Sequence, residues 1–362
     1  MTEALLSHPA PRISIEGEEL AQLTRDLAYL RIEECNEGLK HVEARFIAFG
    51  PRQGSPRDEL LYLDGCQFDF GHAIEVGIDE ASVGQPVFKG TISAIRAAFE
   101  EGHEPEVTIC AEDDAMKLRL TRRCHTYKDK TDAEIAEELA GFHGLTPCTD
   151  TEGPTHDVVQ QWNMSDLAFL RERARRIQAE IWVEDGQLNF KARNNRDGAE
   201  ITLVQGNHLI SLHAAADLAH QRAGVHVSGY NADRREVIDA GAQSSVIRDE
   251  QPRGRSGADI FRQVFPGDLA ASRVRDMPLT DTEAEWWSRY EMLRRARGFV
   301  TVHGVTRGNP EMRVGSRLNL DRVGSPFNGP GYYVVEVSHS YDLARGYRTT
   351  FSAERGAIEV NS

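Results

Sequence analysis

Two stretches of this 362-residue chain carry one pattern written twice. Shifted by 242 positions, Ile92, Ile95 and Phe99 fall on Val334, Val337 and Tyr341. Thr108, Ile109, Ala111 and Glu112 then fall on Thr350, Phe351, Ala353 and Glu354. Both copies read as strand–loop–strand, and an internal repeat constrains architecture before any single residue does. The expected class is α+β, mainly β: two related β domains with an α/β insertion and a small helical insertion.

The intervening segments fit that scheme. RISIEG, LAYLRIEE, KHVEARFIAF, the pieces of ELLYLDGCQFDFGHAIEVGI, PVFKGTISAIRAAF and EVTICA are strand-length runs with Gly and Pro punctuation. They assign residues 1–112 to a first β domain, a barrel or a sandwich. After Asp113 the period changes. KTDAEIAEELAGFHG opens with the capping box Thr131/Glu134 and aligns Ile135, Leu139 and Phe142. SDLAFLRERARRIQAE is a second helix, capped by Ser165 or Asp166, with Leu167, Leu170, Ala174 and Ile177 on one face. IWVEDGQLNF turns at Asp185-Gly186, a hairpin signal. Residues 113–198 are therefore an α/β inserted domain. The second β domain is expected over 199–239 and 298–362, with a hairpin turn at Asn231–Asp233. Between these lies a loop-plus-helix insertion, 240–297. There SSVIRDEQPRGRSGAD reads as a polar mobile loop and TDTEAEWWSRYEMLRRARG as a helix from Thr280 to Gly298.

Charge narrows the partners. With 57 acidic against 42 basic residues, net −15, the chain lacks the excess of basic charge a general nucleic-acid binder uses. No specific nucleic-acid binding is expected. Five scattered cysteines without a CxxC read as reduced thiols, mostly buried, in a protein made in a cytoplasm. MTEALLSHPAPR is not a signal peptide, and no run approaches the roughly 20 apolar residues of a spanning helix, so no membrane anchor is expected.

GYYVVEVSHSYDLARGYRTTF, residues 331–351, holds Ser338, His339 and Asp342, the residue types of a hydrolytic triad. Strand alternation points neighbouring side chains to opposite faces, so Ser338 and His339 cannot share a nucleophile–base hydrogen bond. His339 is expected on a packed face with Tyr333, Val335, Val337 and Tyr341, and Asp342 in a turn bonding its own backbone. The pairs His208/His213 and His220/His226 lack metal-site spacing. Cys124-His125 has no second pair at a zinc-like distance. Glu33-Glu34 and Asp113-Asp114 read as solvated surface. Trp286-Trp287 is expected to turn one ring to the core and leave the other for a partner. GxGxxG, P-loop and GxSxG patterns do not occur. No catalytic, cofactor or metal residue is assigned, and the expectation is a protein that is not an enzyme.

The order of segments resembles the late control protein D family of contractile phage tails, the baseplate hub, and the N-terminal hub part of VgrG proteins. The resemblance is carried by PVFKGTISAI…EVTICAED, YKDKTDAEIAEELAGFHGL with VVQQWNMSDLAFLRERARRIQAEIWVEDGQLNF, GVHVSGYNADRREVIDAGA, and the closing GNPEMRVGSRLNLDRVGSPFNGPGYYVVEVSHSYDLARGYRTTFSAER. It marks Phe88, Gly90, Asp113, Trp162, Asp166, Phe169, Leu170, Gly315, Phe327, Gly329, Tyr333, Val335, His339, Gly346, Thr349 and Phe351 as structural signature positions. It implies that the fold is two related β-barrel (tube-type) domains with an α/β insertion and a small helical insertion. It further implies a homotrimer whose six barrels form a pseudo-six-fold ring joining the hexameric tail tube to a trimeric spike. Because the chain stops shortly after the second barrel, the spike is expected to be separately encoded. Tape-measure protein, wedge proteins and luminal cargo are further implied partners, and assembly follows synthesis in the bacterial cytoplasm. A hub-associated cell-wall hydrolase and a type VI secretion-like spike hub fragment are the alternatives.

Overall fold

The computed structural model describes residues 10–51, 57–78, 86–232, 234–251, 253–267, 269–273 and 278–359. In the first third, the strands are β1 (Pro11–Ile15), β2 (Leu27–Cys35), β3 (His41–Ile47), β4 (Ala73–Ile78), β5 (Phe88–Ala98) and β6 (Glu106–Glu112). The α/β segment comprises β7 (Arg122–Lys130), α1 (Asp132–Phe142), β8 (Thr146–Asp150), β9 (His156–Ser165), α2 (Asp166–Ile177), β10 (Ala179–Glu184) and β11 (Gln187–Ala192). Next come β12 (Glu200–Val204), β13 (Leu209–Ala216), β14 (Gly224–Asn231), β15 (Glu236–Gln243), α3 (Gly257–Val264) and α4 (Asp281–Arg297). The chain closes with β16 (Val300–Arg307), β17 (Arg317–Asp321), β18 (Gly329–Asp342) and β19 (Gly346–Arg355). Shorter bridges and turns carry no label.

The fold is mainly β, as the sequence pattern predicts. One large sheet runs β13-β16-β19-β18-β2-β3-β6-β5-β4-β1, and β12-β17 attaches to it through β18. It covers two separate apolar cores. In the first unit Ile13, Leu30, Val42, Phe46, Ile74, Phe88, Ile92 and Ile109 are buried together. The second unit buries Val300, Val302, Leu318, Tyr332, Val334, Val337 and Phe351.

The two units repeat at the level of hydrogen-bond register. Across β5–β6, Ile92 faces Ala111, Ala94 faces Cys110 and Ile95 faces Ile109, with Ser93 as a bulge. Across β18–β19, Val334 faces Ala353, Glu336 faces Ser352 and Val337 faces Phe351, with Val335 as the bulge. Each position in the second unit is its counterpart plus 242, bulge included. A second hairpin repeats too. β2–β3 pairs Leu27 with Phe46 and Tyr29 with Arg45, passing over Ala28. β13–β16 pairs Leu209 with Thr306 and Ser211 with Val305, passing over Ile210. Here the shift is 182 on the first strand (27 to 209) and 260 on the second (46 to 306). Bulges are specific local features of a ladder, so two coincident bulges mark one unit built twice.

The bulge at Val335 corrects one expectation. It resets the alternation, so Tyr332, Val334, Val337 and His339 face the second core while Tyr333 crosses to the opposite face, against β10. A bulge has no residue signature, and strict alternation therefore placed Tyr333 and Val335 on the wrong side.

The α/β segment builds its own core from Tyr127, Ile135, Leu139, Phe169, Leu170, Ile177 and Phe190. Its helix signals are realised: Thr131 and Glu134 cap α1 reciprocally, and Ser165, not Asp166, caps α2. β10 and β11 turn at Asp185 and Gly186, both left-handed (φ 47° and 74°), as a two-residue hairpin turn requires.

Other expectations need revision. β14–β15, read from sequence as part of the second barrel, pair in a separate sheet, and Val225, Val227 and Ile238 pack on Ala284, Trp287 and Met292 of α4. Asp233 of its turn lies outside the described residues. The polar stretch after Gln243 holds a 3₁₀ turn (Ser244–Ile247) and leads into α3, where Ser256 Oγ accepts from the Asp259 amide at 3.1 Å. Its Gly/Arg composition concealed that cap. Only Cys110 of the five thiols is buried; Cys66 and Cys124 are exposed because they sit in a loop and on the open face of β7. Trp287 is buried, but Trp286 is half-buried and stacks on Tyr290 at 5.4 Å.

Glycine substitutions test the packing. A Cβ at Gly90 would lie 2.4 Å from the Glu112 carbonyl oxygen, a backbone atom of the paired strand. Gly90→Ala is expected to lower the unfolding free energy by about 1–3 kcal/mol in urea titration. Gly141 in α1 meets nothing within 4 Å, so Gly141→Ala should raise it by about 0.5–1 kcal/mol.

Candidate assembly interface

β18 is the strand on which the units meet. Its first half pairs with β17 of its own unit (Leu318 opposite Tyr332). Beyond the bulge its second half pairs antiparallel with β2 of the first unit: Val337 opposite Glu34, His339 opposite Ile32, Tyr341 opposite Leu30. Tyr341 thereby packs against the first unit's core.

His339 locks this joint from inside. The ring is buried; its Nε2–H donates to the Met312 carbonyl at 3.0 Å, and Nδ1 accepts from the Tyr347 hydroxyl at 2.7 Å. Thr349 Oγ1 lies 3.3 Å from the same nitrogen and accepts from the Asn309 amide at 2.9 Å. Burial pushes the His339 pKa down to about 4. Ser338 points away and accepts from Arg31 Nε at 3.3 Å, so the pair forms no catalytic couple. Asp342 Oδ1 accepts from the amides of Ala344 and Arg345, holding the turn before Gly346 (φ 67°).

On the opposite face a charge cluster ties the α/β segment to both units. Arg196 spans Glu34 of β2 (2.6 Å) and Glu180 of β10 (3.2 Å), with its guanidinium 4.2 Å from the Trp182 ring centre. Tyr333 donates to Glu180 at 2.6 Å, while Arg193 pairs with Glu354 at 3.0 Å and lies over the Tyr333 ring. Lys40 and Arg196 hold the Glu34 carboxyl below its ordinary pKa against the cost of burial. Glu34 and Asp113 are thus not solvated surface. Asp113 is buried, accepts from the amides of Lys40 (2.8 Å) and Ala115 (3.0 Å), and is pushed up to about 6 by desolvation. Two acids adjacent in sequence gave no sign that one of each pair would turn inward. A cleft of about 280 Å³ opens here, lined by Glu34, Lys40, Asp113, Arg196 and Arg313. Glu34, Lys40, Arg196 and Arg313 are placed in ion pairs, and Asp113 holds backbone amides. Among the described residues no three His, Cys, Asp or Glu side chains converge as metal ligands.

The signature positions fall at the joint, in the first unit, at the start of β18 and in the α/β core, with Trp162 apart. Asp113, Gly315, Tyr333, Val335, His339, Gly346, Thr349 and Phe351 belong to the joint and its strand pair. Gly315 (φ 96°) passes within 3.1 Å of the Arg196 side chain for an added Cβ, which explains its residue type. Phe88 and Gly90 pack the first unit, while Phe327 and Gly329 lie where β18 begins. Asp166, Phe169 and Leu170 lie in the α/β core. There the fully buried Asp166 accepts from Arg123 (2.8 Å) and Gln161 (2.8 Å) and pairs with His143 (2.7 Å), and Phe169 stacks on Tyr127. Trp162 stands apart, 71% exposed on β9. Sequence reasoning missed Arg193, Arg196 and Glu180; the arginine-rich composition was the available signal.

The His339 environment has a pH consequence. Because its folded pKa lies below the ordinary 6.5, the unfolded chain takes up this proton first. The stabilisation is complete above pH 6.5 and is lost as pH falls toward 4. Wild type should lose about 3 kcal/mol over that interval relative to His339→Gln, read from urea unfolding at each pH. Asp113 acts oppositely, its contribution fading as pH rises through 6, and it cancels in the comparison between the two proteins.

Solved structures share this fold. The chain is similar to the 43 kDa tail protein of prophage MuSo2 from Shewanella oneidensis, at 12% identity over 96% of this chain and 98% of that one, TM-score 0.68. It is similar to a tail protein from Neisseria meningitidis, at 14% identity over 97% and 98%, TM-score 0.65. A third is a type VI secretion component of E. coli, itself reported as similar to the bacteriophage T4 tail proteins gp27 and gp5, at 12% identity over 97% and 77%, TM-score 0.58. At such identities the likeness is one of fold. No curated protein matches the chain in sequence. The family model Alg8_N, the Alg8 N-terminal domain, matches residues 54–342, and the chain belongs to that family.

Proposed function

We propose that the chain is a structural baseplate hub of a contractile tail or injection system, of the late control protein D type. Three copies form a ring of six similar units that joins a hexameric tail tube to a trimeric spike. The observation that carries this reading is the register-level duplication of the unit within one chain. A three-fold assembly of a doubled unit presents six like surfaces to the tube and three to the spike, which reconciles two symmetries with one protein. The tail-protein fold supports the setting.

The reading assigns no catalysis. His339, the buried histidine of the former triad candidate, spends both ring nitrogens on packing contacts. Tape-measure protein or cargo would pass the ring's lumen, and wedge proteins would meet the inserted segments. The protein is made in the bacterial cytoplasm and built into the particle. The similarity to the E. coli component favours one variant of this reading, a type VI-like spike hub.

The test is reconstitution with the tail-tube and spike proteins of the same source. Expected is a complex with three copies of this chain between them, seen by light scattering and cryo-EM. A chain that binds neither protein and remains a monomer overturns the hub. Sustained release of peptidoglycan fragments, lost in an acid-to-amide variant, overturns the non-enzymatic part.

A further inference from the structure

The joint within the chain has a counterpart between chains. β18 hands over from β17 to β2 at its bulge; β5 is built identically and pairs with β4 only over Val76–Ala73 opposite Phe88–Thr91. Past its bulge, among the described residues, β5 has β6 on one side and no strand on the other. The counterpart of β2 is β13, which pairs with β16 on one side and, among the described residues, with no strand on the other. One chain therefore carries one completed joint and the two separated halves of a second.

We propose that these halves meet between copies: residues 94–98 of β5 in one molecule pair antiparallel with β13 of the next. The register follows from the internal joint by the same shifts, 242 and 182. Val337 opposite Glu34 becomes Ile95 opposite Ala216. His339 opposite Ile32 becomes Ala97 opposite Ala214, and Tyr341 opposite Leu30 becomes Phe99 opposite Leu212.

Two further observations point to this occupant. Tyr341 is half-buried on the neighbouring unit's core, whereas its counterpart Phe99 is 64% exposed, an aromatic standing where the next unit would cover it. Both open edges are also unguarded. Soluble edge strands carry lysine, proline or inward charge against unwanted pairing. β13 reads LISLHAAA, and the free half of β5 reads AIRAA with one arginine that pairs with Glu43 of its own unit. The contact is heterologous, so it propagates head to tail until a ring closes. It rests on the hub reading only for the number of copies.

Disulfide trapping in the full-length chain tests the register. Ala98→Cys and His213→Cys fall opposite each other; Ala98→Cys with Ser211→Cys is displaced by two residues on the same face. Mild oxidation should link the first pair between molecules at least about tenfold faster than the second, with the bond located by peptide mapping to separate it from Cys66 and Cys124. Phe99→Asp, an exposed change that leaves each core intact, should lower the assembled mass in light scattering. Equal trapping of the two pairs, no trapping, or unchanged assembly of Phe99→Asp overturns the edge pairing. If tube and spike binding persist in that case, the hub reading stands; if both fail, it falls too.

Discussion

The fold depends on one strand serving two units. β18 is long enough for its first half to finish its own unit and its second half to pair with β2, and the bulge at Val335 lies at the change of partner. A bulge adds a residue to one strand only, which bends it and increases its twist. That bend lets the strand leave one sheet segment and enter another while staying paired to β19 throughout. The pairing with β17 ends at Arg317, opposite Tyr333, and the second half of β18 takes β2 as its partner, which joins the units by a ladder. His339 sits just beyond the bend, and its two hydrogen bonds fasten the 309–312 segment and Tyr347 to the bent strand.

The charge cluster sets orientation more than stability. Burying Glu34, Glu180, Arg193 and Arg196 costs desolvation that their attraction only partly offsets. What such a cluster supplies is selectivity, since removing one partner strands a buried charge. Glu180 shows this most plainly: it takes Arg196 and Tyr333 at hydrogen-bond distance and Arg193 at 3.4 Å, so two arginines of the 193–196 turn and a tyrosine of β18 converge on it. Arginine suits this role because its planar fork can bond two acids and lie over a ring at once, as Arg196 does with Trp182. Any slide of the α/β segment across the joint would break the Glu180–Tyr333, Arg196–Glu34 and Arg193–Glu354 contacts together.

The duplication was legible in the sequence only where large apolar residues recur. Ile92, Ile95 and Ile109 and their partners announced one hairpin, and capping residues announced both helices of the α/β segment. The other repeated hairpin was invisible. β2 and β3 are joined by five residues, 36–40, whereas β13 and β16 are separated by 83, residues 217–299, which include β14, β15, α3 and α4. No sliding comparison with a single shift can align both strands, and the side chains differ almost everywhere; what persists is the backbone register with its bulges. The joint's charged residues were unreadable for a related reason. Glu34 beside Glu33 is chemically an ordinary surface pair until a strand from 300 residues away covers it.

The position of that long insertion also sets where the two added segments meet. In the first unit the short β2–β3 turn is capped by α2, whose Arg171 donates to the carbonyls of Glu37 and Gly38 at 2.8 and 2.9 Å. In the second unit the equivalent turn is replaced by the segment that contains α4. The two additions pack on each other: Tyr290, Leu293 and Ala296 of α4 share a core with Leu170, Ala174 and Ile177 of α2, and Arg297 pairs with Glu250 at 2.5 Å beside Gln178. Within a chain, both insertions therefore occupy the same end of equivalent hairpins and cover each other. Variation has accumulated where it leaves the strand edges untouched. A unit continued through its edges, as the proposed pairing requires, has room for additions away from those edges but depends on its bulges and register. The two copies in this chain, alike in their ladders and unlike in nearly all else, follow that division.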